Sequence, residues 1–207
     1  PDVNTSDYYF TVHSDNTILY GLGAIKGVGQ SAIESLLEER RNNGAFADLF
    51  GLCRRVDTRK INRRVLEALI RAGAFDTMGD TRAAQVANLP MALKMADQAA
   101  RNQDTGQDDL FGEAQPARVL PVDRLEVPEW EEEQKLLGEK ETLGLYLTGH
   151  PIRRYERELA SITSGRLASL ITNGGDAPGG RPDSGERPVV IAGLVMTIRI
   201  RKTARGG

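Results

Sequence analysis

The sequence predicts a mainly α-helical fold, because a pattern of helix, glycine-bounded hairpin and helix occurs twice. In the first copy, the hairpin Gly27-Val28-Gly29 leads into apolar residues at helical spacing. In the second, an apolar helix face over residues 61–72 leads into residues 73–79, which begin and end with glycine. We call residues 27–29 the first hairpin and residues 73–79 the second hairpin. Ahead of both, two β-prone runs within residues 8–20 flank turn-forming residues and predict a β-hairpin.

Composition limits the class of protein without identifying it. The 207 residues are 40% hydrophobic and 27% charged, which is typical of a soluble globular protein of one or two domains. A single cysteine, Cys53, excludes an internal disulfide, fits a reducing cytoplasmic setting and is interpreted as a small buried residue. No apolar run is long enough to span a bilayer, so we expect no membrane partner. The chain ends within a basic segment, and we expect it to be a fragment.

Apolar periodicity predicts the remaining elements. Helices are expected from the first hairpin to about residue 41, over 46–52, 61–72, 80 to about 101 and 130–141, and as one or two short helices over 155–170. Asp80 is a candidate N-cap, and Pro90 is expected to kink or divide its helix. Residues 173–188 are rich in Gly, Pro, Asp and Ser and predict a loop. From residue 189 onward, alternating apolar and basic residues predict a strand.

The first hairpin is a candidate phosphate site. Its glycines permit a positive φ or a close approach from outside, and the following helix N-terminus presents amide groups that favour an anion. The residues concerned are Lys26, Gly27, Val28, Gly29, Gln30 and Ser31. From this stretch alone, a tight corner without any ligand explains the glycines equally well.

A basic run lies between the two hairpins. Residues 54–71 contain seven Lys or Arg residues and two acidic ones. Such a run is usually a solvated face, but its position between two hairpins favours sequence-independent contact with duplex phosphates. It contains no aromatic residue, which argues against stacking on single strands as its main function. The candidate residues are Arg59, Lys60, Arg63 and Arg64, together with Gly73 of the second hairpin.

A second binding signal lies in a polar segment. It consists of Gln107, Asp108, Asp109, Leu110 and Phe111. The apolar pair has no core of its own in this segment, and exposed apolar pairs commonly insert into a pocket of a partner. The alternative, that the pair folds back onto the preceding helix, stays open.

Catalysis has little support in the sequence. The two histidines, His13 and His150, lie in separate predicted turns, and no cluster of potential ligands has metal-site spacing. No phosphate-binding Walker motif or nucleophile elbow is present. Glu129 and residues 131–133 are interpreted as the acidic start of a helix, where they suit the helix dipole. We therefore expect no catalytic residue, metal ligand or cofactor in this chain.

Three longer stretches carry a family resemblance. They are YGLGAIKGVG at residues 20–29, KINRRVLEALIRAGAFD at residues 60–76 and LGLYLTGHP at residues 143–151. In this order they resemble the alpha subunits of bacterial DNA polymerase III, the replicative polymerases of family C. The resemblance covers essentially the whole chain and is least specific in the loop at residues 173–188.

This resemblance implies a domain order. Residues 1–20 are the tail of the fingers region, 21–104 a tandem helix-hairpin-helix domain on duplex DNA, 105–115 a segment that docks on the sliding clamp, 116–188 a helical linker, and 189–207 the first strand of a truncated OB-fold. The clamp-docking motif is residues 107–111, with glutamine first, an acid third and then Leu-Phe. In the OB region, Arg199, Arg201 and Lys202 are the residues implied to contact DNA.

The same resemblance implies a function for the parent protein. It is a cytoplasmic DNA-directed DNA polymerase, whose partners are duplex primer-template DNA, the sliding clamp (the beta subunit) and other subunits of the holoenzyme. Its metal-binding aspartates do not map onto this chain, so the expected magnesium chemistry belongs to the rest of the parent. Two alternatives stay open: a stand-alone helix-hairpin-helix DNA-repair nuclease, for which we find no metal cluster, and a structural helical spacer.

Overall fold

The computed structural model describes residues 1–14, 16–104, 124–173 and 188–200. Contacts divide the chain into two compact units, residues 1–148 and residues 149–207. The predicted mainly helical fold with an N-terminal β-hairpin is confirmed. The predicted clamp-docking residues 107–111 lie outside the described residues, as do Arg201 and Lys202.

The N-terminal β-hairpin consists of β1 (Thr11–Ser14) and β2 (Thr17–Leu19), paired antiparallel. Val12 lies opposite Ile18 in this register. The sequence has a β-prone run at residues 9–12, but the first strand begins two residues later, at Thr11. The strand also includes His13, which the sequence analysis placed in the turn.

The later start of β1 has a cause in the preceding backbone. The carbonyls of Asp7 and Tyr8 accept hydrogen bonds from the amides of Leu22 and Gly23, at 2.9 and 3.0 Å. A carbonyl that is bonded to this segment points away from the hairpin ladder. The chain therefore pairs with residues 22–23 first and enters the two-stranded ladder afterwards.

Five helices follow in the described part of the first unit. They are α1 (Gln30–Asn43), α2 (Leu49–Arg55), α3 (Arg63–Arg71), α4 (Arg82–Asp104) and α5 (Glu132–Leu143). Short 3₁₀ turns, Leu22–Ala24 and Asp76–Met78, precede α1 and α4. α4 continues through Pro90, so the division of this helix that the sequence allowed is not observed.

Local capping explains where several helices begin and end. The Asp48 side chain accepts a hydrogen bond from the amide of Gly51 and starts α2. The Asn62 side chain accepts from two amides of the first turn of α3. Gly44 (φ 76°) and Gly144 (φ 79°) follow α1 and α5 at positive φ, which glycine adopts without strain.

The apolar faces of these helices form one core. α2 and α3 pack against α4, and α3 also packs against α5. Fully buried side chains include Leu22, Ile25, Ile33, Leu36, Leu49, Leu52, Ile61, Leu66, Leu69, Ile70, Phe75 and Leu89. Cys53 is buried among them, and burial raises the pKa of its thiol to about 12, so it stays an uncharged thiol.

Within residues 116–188, which the sequence predicts as a helical linker, the described residues 124–148 pack on the helices of the first unit. α5 packs on α3, where Gly138 lies against Arg71: a β-carbon on the glycine would lie 3.4 Å from the Arg71 carbonyl oxygen. The amide of Lys26 donates to the carbonyl of Thr142 at 2.8 Å. The compact unit that contains both hairpins therefore includes α5 and comprises residues 1–148.

A buried ion-pair network fixes α5 in this unit. Arg82, 2% exposed, donates to Glu139 at 3.1 Å and to both oxygens of Asp76 at 2.7 and 2.8 Å. Glu139 also accepts from the amides of Leu147 and Thr148. Burial raises the pKa of Glu139, but these hydrogen bonds lower the pKa by more than burial raises it. The net pKa therefore lies below the ordinary value, and the carboxylate stays charged.

The second unit has its own short helices. A 3₁₀ turn precedes α6 and α7 in the order Pro151–Tyr155, Glu156–Ile162 and Leu167–Asn173. The two short helices predicted within residues 155–170 are thus confirmed, although α7 continues to Asn173. The Nδ1 atom of His150 accepts from the amide of Ile152 at 3.2 Å, as expected of a turn residue.

The expected strand from residue 189 is not present in residues 188–200. A strand needs a hydrogen-bonded neighbour, and Val190 instead exchanges two hydrogen bonds of 2.9 Å with Ser164, one through its hydroxyl. Arg199 lies in this exposed segment. None of the helices in the described ranges combines the length and apolar character needed to cross a bilayer.

We expect Glu139→Ala to lower the free energy of unfolding by about 3–5 kcal/mol, since it removes the buried one of the two carboxylates that neutralise the Arg82 guanidinium. Urea unfolding of the full chain measures this. The matched control is Glu141→Ala on the same helix, whose side chain is 57% exposed and which should change stability by less than about 0.5 kcal/mol. Equal, small effects of the two substitutions would contradict the anchoring role.

Candidate nucleic-acid interface

The first hairpin is a tight turn on a buried base. Leu22 and Ile25 before it are 0% and 2% exposed. The amide of Val28 closes the turn by donating to the Ile25 carbonyl at 3.3 Å, while the amide of Lys26 is held by α5. Gly27 has φ 84°, which a residue with a side chain adopts only at a cost. The core therefore fixes the base of the hairpin and leaves its tip exposed.

The N-terminus of α1 at this tip is uncapped. Gly29 is the N-cap and no side chain accepts from the first turn. The amides of Ala32 and Ile33 donate to the Gly29 carbonyl, but those of Gln30 and Ser31 meet no acceptor in the described part of the chain. Such amides, together with the helix dipole, favour a bound anion.

The surroundings of the first hairpin are open. A β-carbon on Gly27 or Gly29 would meet no atom within 4 Å. Gly29 also has an ordinary extended backbone, φ −79° and ψ 154°, that alanine adopts freely. Neither internal packing nor backbone strain therefore requires a glycine at position 29, and the space beside its backbone is open to close approach from outside.

The second hairpin differs in its surroundings from the first, and Gly73, which the sequence predicts to contact DNA, lies inside the fold. Gly73 is buried, and its amide already donates to the carbonyl of Ile70 at 2.9 Å. The guanidinium of Arg82 and the carboxylate of Asp76 occupy the space where a β-carbon would lie. This glycine is required by the protein's own ion-pair network, so it is inaccessible to a ligand.

The helix N-terminus behind the second hairpin is also occupied. The amides of Arg82 and Ala83 donate to the two carboxylate oxygens of Glu129, at 3.3 and 3.2 Å. The amide of Ala84 donates to the hydroxyl of Thr81 at 3.1 Å, so Thr81 caps α4 and the candidate Asp80 does not. The position that an anion would take at this helix is therefore filled by a carboxylate of the chain itself.

The charge of Glu129 suits this position. Burial raises the pKa of its carboxyl, but hydrogen bonds from the amides of Trp130, Ala83 and Arg82, with the charge of Lys135, lower it more. The net pKa lies below the ordinary value, so Glu129 is a carboxylate at neutral pH. The sequence interpretation of Glu129 as a solvated helix start missed this contact, which spans 47 residues.

Glu129 is the end of a segment, residues 124–129, that we call the strap. The backbone of Leu125 exchanges two hydrogen bonds of 2.9 Å with the side chain of Asn88 on α4. The guanidinium of Arg124 pairs with Asp48 and lies 5.0 Å from the ring centre of Phe50. The strap therefore binds α2 and the first half of α4, where the sequence predicted a linker.

The basic run divides into two groups. Arg55 pairs with Glu39 at 2.9 Å and lies over Phe46, and Arg71 pairs with Glu67 at 2.9 Å, so these two cations stabilise the fold. The predicted contact residues are all exposed and form no ion pair with a carboxylate of the described residues. They are Arg59, Lys60, Arg63 and Arg64.

The structure places this exposed cluster and the second hairpin at opposite ends of α3. Arg63 and Arg64 begin the helix and Gly73 follows its end. Nine residues of helix separate the two by roughly 13 Å.

In the described ranges, no group of three or more His, Cys, Asp or Glu side chains is arranged to hold a metal ion.

We expect Glu129→Gln to lower the free energy of unfolding by about 1 kcal/mol at pH 7, because it removes the charged cap of α4. The pKa of Glu129 is lowered in the folded state, so its contribution is present above the ordinary value of 4.5 and disappears as the pH falls through the lower folded pKa. Urea unfolding of both proteins between pH 7 and pH 3 should therefore show a difference that shrinks below about pH 4.5. Glu126→Gln, in the same strap, is the control and should have no effect at either pH.

Comparison with known proteins gives a consistent result. Residues 1–85 match the family described as "Helix-hairpin-helix motif". The whole chain is similar to DNA polymerase III subunit alpha from Vibrio cholerae, with 43% identity over 207 residues. The proteins of that name from Escherichia coli and Pseudomonas aeruginosa are 44% and 41% identical over 208 and 223 residues.

These alignments cover 100% of this chain but only 17% or 18% of each relative. The chain is therefore much shorter than the proteins it matches. The resemblance predicted from the sequence is confirmed: the chain carries the helix-hairpin-helix motif and matches a segment of the DNA polymerase III alpha subunits along its whole length.

Proposed function

We propose that this chain is a non-catalytic segment of a DNA-directed DNA polymerase, the alpha subunit of DNA polymerase III, and that it holds duplex primer-template DNA. The observation that carries the proposal is the uncapped, sterically open first hairpin. The similarity of the whole chain to polymerase alpha subunits supports it. The magnesium-dependent chemistry and the cytoplasmic setting are proposed for the parent polymerase, outside this chain.

In this proposal a duplex phosphate binds at the N-terminus of α1. The free amides of Gln30 and Ser31 donate to its oxygens, and the exposed Lys26 adds positive charge. Contacts to phosphate carry no sequence information, so binding is independent of sequence and weakens steeply with salt. The second hairpin takes no phosphate, because Glu129 occupies the equivalent helix terminus.

The exposed cations at the start of α3 supply a second contact. Arg59, Lys60, Arg63 and Arg64 have no ion-pair partner among the described residues, so they neutralise phosphates without first breaking a salt bridge. This separates them from Arg55 and Arg71, whose pairing with carboxylates already stabilises the fold.

We also propose that residues 107–111 dock on the sliding clamp, and that other subunits of the holoenzyme assemble on the parent protein. The support for clamp docking is the motif itself and the resemblance to polymerase alpha subunits.

The described residues that precede and follow residues 107–111 belong to the first unit. α4 ends at Asp104, and the strap begins at Arg124. Both ends of the intervening segment are thus attached to the DNA-binding unit.

We expect Gly29→Ala to weaken duplex binding at least about tenfold, because a methyl group separates the phosphate from amide hydrogen bonds worth about 1.5–3 kcal/mol. Anisotropy titrations of a labelled duplex at low salt measure it. The control is Gly44→Ala at the other end of α1, where φ is 76° and a β-carbon meets no atom. It should lower stability by about 1 kcal/mol and leave duplex affinity unchanged. Native affinity in Gly29→Ala would contradict the phosphate site.

For the clamp, the double substitution Leu110→Ala with Phe111→Ala should cost at least about 2 kcal/mol of binding free energy if these side chains are the anchors. Calorimetric titration of the full chain with the purified clamp measures the loss. The apolar pair Val119→Ala with Leu120→Ala, later in the same segment, is the matched control and should bind normally. Normal binding of the Leu110 and Phe111 double variant would exclude this motif.

A further inference from the structure

A groove of about 650 Å³ lies beside the start of α3, outside the first hairpin. Arg63 of α3 lines one side, and the second half of α4 supplies the other. Lys94, Gln98 and Arg101 of α4 line it together, since residues four and seven apart lie on the same helix face. The groove therefore has a row of polar and cationic side chains along α4.

Cations outnumber carboxylates among the described residues that line this groove. They are Arg63, Lys94 and Arg101, beside the carboxylate of Asp97. The oxygen Oδ1 of Asp97 accepts from the hydroxyl of Thr58 at 3.4 Å, which turns this group toward the loop before α3. That loop also carries the exposed cations Arg59 and Lys60, so the groove continues the basic surface at the start of α3.

The lining favours a polyanion backbone over unstacked bases. Among the described residues that line the groove there is no aromatic ring on which bases could stack. Lys94 and Arg101 are seven residues apart on α4, or roughly 10 Å along its axis. The two cations can therefore each neutralise a different phosphate of one strand. Gln98, between the two cations, supplies further donors.

We propose that this α3–α4 groove binds the sugar-phosphate backbone of duplex DNA through Lys94 and Arg101 together with Arg63. The inference rests on the proposed function, because it extends duplex binding to a surface that neither hairpin forms. It makes α4 a contact element in addition to a structural one. The contact is independent of sequence, since no base edge is read.

The test is the double charge reversal Lys94→Glu with Arg101→Glu in the full chain. Labelled duplex is titrated at several salt concentrations. We expect affinity to fall at least about tenfold at low salt and the slope of log affinity against log salt to decrease by about two, one for each lost phosphate contact. The matched control is Arg153→Glu with Arg157→Glu, two exposed cations that line no part of this groove but change the net charge equally. Thermal unfolding verifies that the variants stay folded.

A second measurement separates this inference from the proposed function. Acetylation of Lys94 is followed by mass spectrometry with and without duplex, in the native chain and in Gly29→Ala. Protection of Lys94 by duplex but not by single-stranded DNA of equal length supports the groove as a duplex site. Native affinity and slope in the groove variant, or an equal loss in the control, overturn it, even if Gly29→Ala shows that the hairpin binds. An acidic protein surface would then be the remaining occupant.

Discussion

The buried contact between Arg82 and Glu139 is the constraint on which the first unit depends. Taking both charges out of water is costly, and the cost is offset only because each group is fully bonded: the guanidinium by Asp76 and Glu139, the carboxylate also by two amides. This arrangement fixes α5 against the second hairpin. The C-terminal turn of α5 in turn holds the amide of Lys26, and with it the first hairpin. The exposed site is therefore positioned by an ion pair that lies far from it in sequence.

This dependence accompanies a structural difference between the two hairpins. Both precede a helix and both contain a glycine at positive φ. In the second, Gly73 lies against Arg82 and the terminus of the following helix is bonded to Glu129. The first has an open helix terminus. The second copy of the motif thus stabilises the unit through its own polar groups, while the first keeps an uncapped helix terminus, which the proposed function assigns to a phosphate.

The helices could be predicted because apolar periodicity is a local property of the sequence. The buried faces of α1 and α3 consist of the apolar residues that recur at helical spacing. The different surroundings of Gly29 and Gly73 could not be predicted. A glycine in the sequence indicates that the backbone is closely approached, but it does not indicate whether the approaching group belongs to the same chain. The strap was missed for a related reason. Glu129 stands at an apparent helix start, where an acidic residue is ordinary, and its actual partners lie 46 and 47 residues earlier. Capping by distant side chains leaves no periodic signal.

Net charge is a poor guide to this surface, since the chain carries a formal charge of −2. Several carboxylates are committed internally: Glu39 to Arg55, Glu67 to Arg71, Glu139 to Arg82 and Glu129 to helix amides. A carboxylate that is bonded in this way is not available to pair with another cation of the chain. In the proposed function the exposed cations at the start of α3 attract phosphate, since local potential, not the total charge, governs association with a polyanion. A weakly acidic chain can in this way present a basic face, provided that its internal pairs stay intact.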